Sequence, residues 1–597
     1  MGAPTCLDAG AETRISFSVR GDVAACLVAD SGGRLTVEHW DLAGDEVVRR
    51  RLDGSPGEST FTQLLCLPGG QVLLTRPEPG GRHRIALVTV TPDGLTERSV
   101  GDIESAGFRL LPTPDPATLA IGIGTDASGT CVWKITAAGL GPPMSMPGQV
   151  GGGVWLDSDG TRLAVVHAVA ARQGPTVIDL SAGTVEAVSS PEADGHLILA
   201  SAKSGLRVLA VSTDDGLALG FAHASARPSE VRVPRILAGI EGTVLPVAVN
   251  PDGTRVCLHV TEGARSRLYV FEPAGEDLIQ LPLPAGRVYG DVCWDARGLT
   301  FPFSSSDRPV GLTRLIERGS TWHVEHLGSG PVDVGHWASA RLVDLPGPAG
   351  PIQAVVYGDE HWRDAENVVI ALHGGPAAAW DLGFDPLLQR FVAAGLTVVA
   401  PNQRGSTGYG PSHRTAIHHA WGGPDLDDIR HLARSLCRDD RRLLLYGASY
   451  GAFLALMAAA AEPDLWSRCV AVAPFLSAAS LYDGAGTSVR TMIDALGGRT
   501  PMTDAFGPRD LAVLGTRITA ALLFVHGTAD DVIPVIHSRI LGELLDDCGK
   551  SYCYREVSGG SHYPIGDANG VELAREIAHF LASGEFPSQV DHDLERR

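Results

Sequence analysis

The chain has 597 residues, 44% of them hydrophobic and 20% charged. That balance is ordinary for a soluble globular protein, but the length is too great for one core, so two or more domains are expected. A formal net charge of −21 argues against a broad electrostatic match to nucleic acid or to anionic lipid.

Met1-Gly2-Ala3-Pro4-Thr5-Cys6 opens the sequence without the basic segment and apolar stretch of a secretory signal. Cys6 also stands where a myristoylation pattern needs Ser or Thr. The longest apolar runs, such as Phe453 to Ala461, are too short to span a bilayer. Ten cysteines lie scattered along the chain without framework spacing, which reads as free buried thiols in a reducing, cytoplasmic setting. Lysine occurs only as Lys134, Lys203 and Lys550, a bias attributed to genomic base composition.

From about residue 15 to 330 the sequence reads as strands and turns. β-rich segments recur at Leu35 to Trp40, Val72 to Thr75, Ile85 to Val90, Val132 to Ile135, Arg162 to His167, Arg255 to Val260 and Arg267 to Phe271. Pro92-Asp93-Gly94, Asp157 to Gly160, Pro251-Asp252-Gly253 and Asp295 to Gly298 punctuate them as turns. The turn glycines at 160, 253 and 298 are 93 and 45 residues apart, close to two units and one unit of about 46. Asp41-Leu42-Ala43-Gly44 and Asp179 to Gly183 repeat a strand-closing pattern at three such units. A period of this size with several strands per unit predicts a β-propeller. The available length fits seven blades, with six or eight as alternatives. An irregular pair of β-sandwiches is the competing arrangement.

From about 337 to 585 strand and helix alternate. Strands are expected at 368–372, 396–400, 443–446, 470–473 and 522–525, with a last one at Tyr552 to Glu556, separated by helix-length segments. That order implies an α/β domain with a mostly parallel sheet covered on both faces. Glycines and prolines between 327 and 350 mark a linker, giving expected domains of 1–335 and 336–597. The tail from Pro587 is polar.

In this second half, Leu443-Leu444-Leu445-Tyr446 runs into Gly447-Ala448-Ser449-Tyr450-Gly451. A strand, a Gly-x-Ser-x-Gly turn and a helix form the elbow that presents a nucleophilic serine. Alone the motif is weak in a chain with 72 glycines. An acid and a histidine follow in the required order, however. Asp530 comes just after the strand Leu522 to Val525, and His562 lies in the loop Gly559-Gly560-Ser561-His562-Tyr563-Pro564. His562 would take the proton of Ser449, and Asp530 would hold the imidazole's tautomer and stabilise the imidazolium. The tetrahedral intermediate would be held by the N–H of Tyr450 and by the N–H of Gly375, in His373-Gly374-Gly375-Pro376 after the strand 368–372. Losing one such donor typically costs about 3 to 4 kcal/mol.

Other features have structural readings. Asp531 competes with Asp530 as the acid and otherwise reads as a solvent or helix-capping residue. His373 and His526, at strand ends, are expected to satisfy backbone groups and not to act as bases. The Arg404-Gly405 loop reads as a structural turn near the site. Gly549-Lys550-Ser551 lacks the first glycine of a phosphate-binding loop, since residue 544 is Leu. The glycines at 405, 408 and 410 have the wrong spacing for a dinucleotide fingerprint. Cys548 and Cys553 lack partners at zinc spacing. No cofactor and no metal are expected.

Taken together, His373-Gly374-Gly375-Pro376, Asn402 to Gly410, Trp421-Gly422-Gly423-Pro424-Asp425, Gly447 to Gly451, His526 to Asp531 and Ser561-His562 resemble the prolyl oligopeptidase family of serine peptidases, and most closely its acylaminoacyl-peptidase-like branch. The resemblance covers nearly all of the C-terminal half. It implies a propeller capping an α/β-hydrolase domain, a cavity between them, and access restricted to short peptides. It places nucleophile, acid and base on Ser449, Asp530 and His562 and oxyanion donors on Tyr450 and Gly375. It also implies an apolar specificity pocket formed with Phe475, Leu481 and Tyr482. The sequence departs from the family at Ala452, where a third glycine is common, and at Asn402-Gln403, where a tyrosine often precedes the arginine. No Glu-Glu pair occurs in the chain, which disfavours the dipeptidyl-peptidase activity of one branch.

The expected function is a serine hydrolase cleaving short peptides or N-acylated aminoacyl substrates through an acyl-enzyme. The same machinery serves an esterase, an amidase or an acyl-transferring cyclase equally well. A propeller scaffold with an inactive hydrolase domain is the non-enzymatic alternative. The expected partner is the substrate itself, with no nucleic acid and no membrane. Self-association into a homo-oligomer stays open.

Overall fold

Between Ser16 and Leu327 the strands gather into seven antiparallel sheets, each built from consecutive segments of chain. Successive sheets begin at Ser16, Gln63, Gly107, Gln149, Gly195, Thr243 and Arg287, a spacing that matches the period of about 46 residues. This is a seven-bladed β-propeller; the six- and eight-blade alternatives fall away. The structure, a computed structural model, describes residues 15–29, 34–44, 46–52, 57–59, 61–91, 94–169, 172–187, 195–214, 216–327, 337–567 and 570–587. The opening hexapeptide, Pro92 and Asp93 of one expected turn, residues 328–336 of the expected linker and the tail from 588 lie outside the described residues.

The blades cohere because both faces of each sheet meet a neighbouring sheet. Inner strands are therefore apolar on both sides: Gly298–Ser305 is buried along nearly its whole length, and so is Leu35–Asp41. Apolar clusters fill the seams. Val37, Cys66, Leu74 and Val88 join the first blade to the second. Phe108, Ala120 and Ile135 of the third blade pack on Leu65, Leu73 and Ile85 of the second. The ring closes in the same way, with Leu312 of the last blade packed on Ile15, Ala24 and Trp40 of the first. Arg297 reinforces that closure by donating to the carbonyl oxygens of Gly21 (2.7 Å) and Leu42.

Contact clustering divides the chain into two compact units. One comprises Met1–Thr261, Ser266–Ser304 and Val310–Asp333; the other comprises Glu262–Arg265, Ser305–Pro309 and Val334–Arg597. The second unit is built on an eight-stranded sheet. Its strands are β1 (Ala340–Leu345), β2 (Ile352–Tyr357), β3 (Asn367–Leu372), β4 (Thr397–Pro401), β5 (Arg442–Ala448), β6 (Trp466–Val472), β7 (Ala521–Gly527) and β8 (Tyr552–Val557). They lie in the order β1-β2-β4-β3-β5-β6-β7-β8. β2 pairs antiparallel with both β1 and β4, and the six strands β3 to β8 run parallel.

β6 starts at Trp466, four residues before the expected run. Ser467 and Arg468 are polar and hide the strand in the sequence, yet the segment pairs with β5 from Trp466 onward.

Helices α1 (Pro386–Ala393), α2 (Pro424–Leu436), α3 (Tyr450–Ala461), α4 (Ala478–Gly484), α5 (Thr487–Ala495), α6 (Ile536–Asp547) and α7 (Gly570–Ser583) cover the sheet. One core holds α2, α3 and α6 against it through Ile429, Leu432, Phe453, Leu456, Leu541 and Leu545. The opposite core holds α1 and α7 through Leu387, Phe391, Ile577 and Phe580. Helix α3 is buried on all sides from Tyr450 to Ala460, which explains its unbroken apolar composition. Each fully buried Leu or Phe contributes about 1.5–3 kcal/mol to such a core.

The chain moves outward from β3 to β4 on one side and returns to β5 on the other. That reversal creates a switch point between β3 and β5, at whose carboxyl edge open α/β sheets bind ligands.

Candidate active site

Ser449 stands at the carboxyl end of β5, where the chain turns into α3. Its backbone adopts φ 56°, ψ −121°, a region that costs a side-chain-bearing residue about 1–3 kcal/mol. The surroundings enforce it. The Ser449 N–H donates to Val472 O (2.8 Å), and its carbonyl accepts from Ala452 (2.9 Å) and Phe453 (3.1 Å). The flanking glycines are steric requirements. A Cβ on Gly447 would lie 2.1 Å from Gly451 O, and one on Gly451 would lie 2.3 Å from Leu372 O. The Tyr450 N–H belongs to the first turn of α3, where amides have no intrahelical acceptor.

The loop leaving β3 passes alongside. A Cβ on Gly374 would sit 3.5 Å from Ser449 Cβ, so this segment borders the serine. Gly375 turns the chain with φ 116°. His373 is buried with its Nδ1 on Gly374 O (2.8 Å) and its Nε2 on Ser406 Oγ (2.8 Å). Burial pushes its imidazole down to about 4, so it is neutral and occupied at both nitrogens.

Asp530 and His562 are in direct contact: His562 Nδ1–H donates to Asp530 Oδ2 at 2.8 Å. The Asp530 side chain is fully buried, whereas that of His562 is 26% exposed. The other oxygen, Asp530 Oδ1, accepts the N–H groups of Val532 (2.9 Å) and Ile533 (2.8 Å). Burial alone would raise this carboxyl, but hydrogen bonds from His526, His562 and the Ile533 amide hold it far below the usual carboxylate range. Asp531, by contrast, is exposed.

The two loops are knitted together. Ala529 N–H donates to Gly560 O (2.9 Å) and Gly559 N–H to Thr528 Oγ1 (2.7 Å). Ser561 is tied to Asp567 through its N–H (2.8 Å) and hydroxyl (2.7 Å). Gly527 permits the approach, since a Cβ there would lie 2.2 Å from Ser561 O.

Ser449 and His562 follow β5 and β8 at the same edge of the sheet. Among the described residues no hydrogen bond joins Ser449 Oγ to the imidazole. The structure thus brings together the acid and the base, and separately the serine and the glycine loop.

Three further motif residues serve these loops. Arg404 is a brace: its Nη2 lies 2.7 Å from Asp428 Oδ1 and 2.8 Å from Pro424 O. Asn402, a departure from the family pattern, is fully buried. It accepts from Trp380 N–H (2.7 Å) and donates to Trp380 O (2.9 Å), fixing the far end of the His373 loop. Asp425 accepts the Tyr450 hydroxyl at 2.5 Å. Burial pushes the Asp425 carboxyl up to about 6 although that bond opposes it. None of these roles follows from local sequence pattern.

Of the three residues expected in a specificity pocket, Phe475 and Leu481 are buried. Phe475 stacks on Phe453 at 4.7 Å and leans toward Tyr450. The Tyr482 hydroxyl instead meets Asp494 Oδ2 (3.2 Å), with Arg499 over its ring. Among the described residues no cluster of three or more His, Cys, Asp or Glu could hold a metal. No helix among them is long and apolar enough to cross a membrane.

Comparison with known proteins gives these features a context. Residues 383–584 match the profile of the prolyl oligopeptidase family. A probable dipeptidyl-peptidase 5 of Aspergillus clavatus is 24% identical over 252 residues, covering 38% of this chain and 33% of that protein. The acylamino-acid-releasing enzyme of Arabidopsis thaliana is 23% identical over 204 residues, covering 32% of this chain and 27% of the relative. The chain thus matches about a third or less of the length of these curated relatives. Among solved structures, a puromycin-hydrolyzing peptidase of Mycobacterium tuberculosis superposes with a TM-score of 0.73 at 19% identity, covering 97% of this chain and 96% of that one. At that identity the likeness speaks for the fold.

Proposed function

We propose that this chain, which carries a prolyl oligopeptidase family domain at residues 383–584, is a serine hydrolase that cleaves short peptides or N-acylated aminoacyl substrates through an acyl-enzyme. The observation that carries the reading is the Asp530–His562 hydrogen bond, delivered to the same sheet edge as the strained Ser449 turn.

In this mechanism Ser449 Oγ attacks the substrate carbonyl carbon while its proton passes to His562 Nε2. Asp530 stabilises the resulting imidazolium through Nδ1. Negative charge on the carbonyl oxygen is taken up by the N–H groups of Tyr450 and Gly375. The C–N bond then breaks, the amine leaves with the proton from His562, and an acyl group remains on Ser449. Water, activated by the same imidazole, releases the acid and restores the serine. The Ser449–His562 hydrogen bond forms as substrate binds, since catalytic contacts often tighten only in the complex.

The substrate class is supported by the named relatives, one an acylamino-acid-releasing enzyme and another solved as a puromycin-hydrolyzing peptidase. Dipeptidyl-peptidase 5 is also among the relatives, but the absence of a Glu-Glu pair argues against recognition of a free amino terminus. Restriction to short substrates follows from the family resemblance. A cytoplasmic setting fits the thiols of Cys66, Cys257 and Cys469, which burial pushes up, away from reactivity; the expectation of buried thiols fails at Cys437 and Cys548, which are exposed.

The test uses a fluorophosphonate probe and a substrate panel. The probe is expected to label wild-type protein at Ser449 and to spare Ser449→Ala. N-acetyl-aminoacyl anilides, prolyl peptides, puromycin, free-amino dipeptidyl amides, simple esters and casein form the panel. Turnover of the N-acylated amides with casein untouched is expected. Turnover of esters alone, or a product carrying an added amine, overturns the peptidase reading in favour of esterase or acyl-transfer chemistry. Lack of labelling in folded protein overturns the enzyme reading altogether.

A further inference from the structure

A fourth side chain stands in the acid–base machinery. His526 lies near the end of β7 with no solvent exposure. Its Nδ1 meets Ser538 Oγ of α6 at 2.7 Å. Its Nε2 meets both Ile533 O at 2.9 Å and Asp530 Oδ2 at 3.1 Å. A carbonyl and a carboxylate are both acceptors, so Nε2 carries the hydrogen. In the neutral imidazole Nδ1 is then a lone pair that accepts from the Ser538 hydroxyl. The tautomer is fixed from both ends.

Asp530 Oδ2 therefore takes the His562 Nδ1–H as a hydrogen bond at 2.8 Å and also lies 3.1 Å from His526 Nε2, whose N–H is hydrogen-bonded to Ile533 O. Oδ1 is held by the Val532 and Ile533 amides. With Oδ1 pinned, removing His526 would not free the carboxylate to rotate. It would return charge to the oxygen that faces His562.

We propose that His526 is a positioning residue whose Nε2–H, anchored on Ile533 O, faces the Asp530 Oδ2 that holds His562 and tempers the acid's pull on the catalytic imidazole. This rests on the reading of Ser449, Asp530 and His562 as the catalytic set.

The other groups facing His526 do not duplicate the effect. His537 on α6 is kept low, at about 4, chiefly by burial. Glu556, opposite His526 on β8, is engaged by Arg539 at 2.5 Å and by the Tyr554 hydroxyl at 2.8 Å. Neither is hydrogen-bonded to Asp530. On the β6 side the nearest residues in register, Ala471 and Val472, are apolar.

The experiment follows the acidic limb of the pH profile of kcat/KM in three full-length variants. In His526→Leu the limb moves up by about one pH unit, with kcat reduced at pH 6 and KM on the plateau changed less than twofold. His526→Gln, which restores an N–H near the same place, returns the limb to within about 0.3 unit of wild type. Ser538→Ala, which loosens the tautomer, shifts it upward by a smaller amount. An unmoved limb in His526→Leu, or equal impairment in the Leu and Gln variants, shows a packing role only and overturns the proposal.

A second readout does not need turnover. In 15N-histidine-labelled protein, with the His562 resonances identified by their loss in His562→Gln, the His562 titration is expected to move up in Ser538→Ala and His526→Leu. A static titration in folded Ser538→Ala protein overturns the proposal even if His526→Leu fails to fold. Failure of the catalytic reading is distinguishable, because it appears as absent probe labelling at Ser449 while the histidine titration still reports the coupling.

Discussion

The two arms of the site are rigid for different reasons. The nucleophile arm is fixed by backbone. Ser449 is forced into its turn by amide hydrogen bonds and by glycines whose neighbours leave no room for a Cβ. The acid–base arm adds side chains to its backbone ties, with Asp530 hydrogen-bonded to His562, His526 hydrogen-bonded to Ser538, and the two pairs in contact over two loops and a helix. A backbone device is intolerant of shape and indifferent to polar detail. A side-chain device tolerates isosteric replacement in the fold but not in the chemistry.

The largest expected effect exploits that difference. Asp530→Asn keeps the shape of the acid–base arm, yet the amide cannot stabilise an imidazolium. Steady-state kinetics are expected to show kcat down by about 10⁴-fold. A loss below tenfold would break the comparison, because the acid would then be dispensable.

Gly451→Ala attacks the other arm through shape. Its Cβ would lie 2.3 Å from Leu372 O and 2.6 Å from His373 O, so β5, β3 and the serine turn must separate. Urea denaturation is expected to show a loss of about 3 kcal/mol. Any folded protein should lose about 10²-fold in kcat, because a displacement on the order of 1 Å misplaces the nucleophile. Wild-type stability in this variant would refute a backbone-fixed arm.

A smaller effect sharpens the boundary between the arms. Asp425 sits under the nucleophile turn through the Tyr450 hydroxyl, and burial raises its carboxyl to about 6. The unfolded chain releases that proton near about 3.9. Between these values the folded state holds a proton the unfolded state has lost, so Asp425 makes stability fall as pH rises from about 4 to about 6. Asp425→Asn removes that term. Its melting temperature is expected to exceed wild type by a few degrees at pH 7.5 and to match it at pH 4. An equal difference at both pH values would show that Asp425 acts by packing and not by its charge.

The smallest effect comes from the neighbour of the acid. Asp531 is exposed, and Asp531→Asn is expected to change stability by less than about 0.5 kcal/mol and kcat/KM by less than twofold. A large loss there would move the acid's role one residue along.

The same contrast between local and distant forces governed what could be read in advance. The propeller announced itself through turn glycines and β-rich runs, because each blade is a meander of consecutive strands joined by tight turns. Its blade count needed the structure, since the fifth sheet has only three strands among the described residues and irregular spacing blurs the arithmetic. In the hydrolase unit, alternating apolar runs and helix-length segments revealed the parallel strands. β6 was read four residues short because its polar start pairs with β5 while carrying no apolar signal.

The Gly-x-Ser-x-Gly elbow was legible because strand, turn and helix lie within a dozen residues and their steric demands are written into adjacent positions. The order of serine, acid and histidine was legible for the same reason, each following a recognisable apolar strand. His526 was read as a residue satisfying backbone groups, and it does meet Ile533 O. Its contact with Asp530 was not foreseen.

What the amino-acid order decides alone is therefore local: which segments extend, which coil, where the chain turns, and which residues stand ready at the ends of strands. What tertiary structure decided is which of those ends meet. The closure of the propeller by Leu312 and Arg297, the brace of Arg404 on Asp428, the bond from Tyr450 to Asp425 and the meeting of two histidines at one carboxylate oxygen all join residues whose spacing carries no periodic signal. Such contacts are selected by packing and by the cost of leaving a buried polar group unpaired, and those terms exist only once the chain has folded.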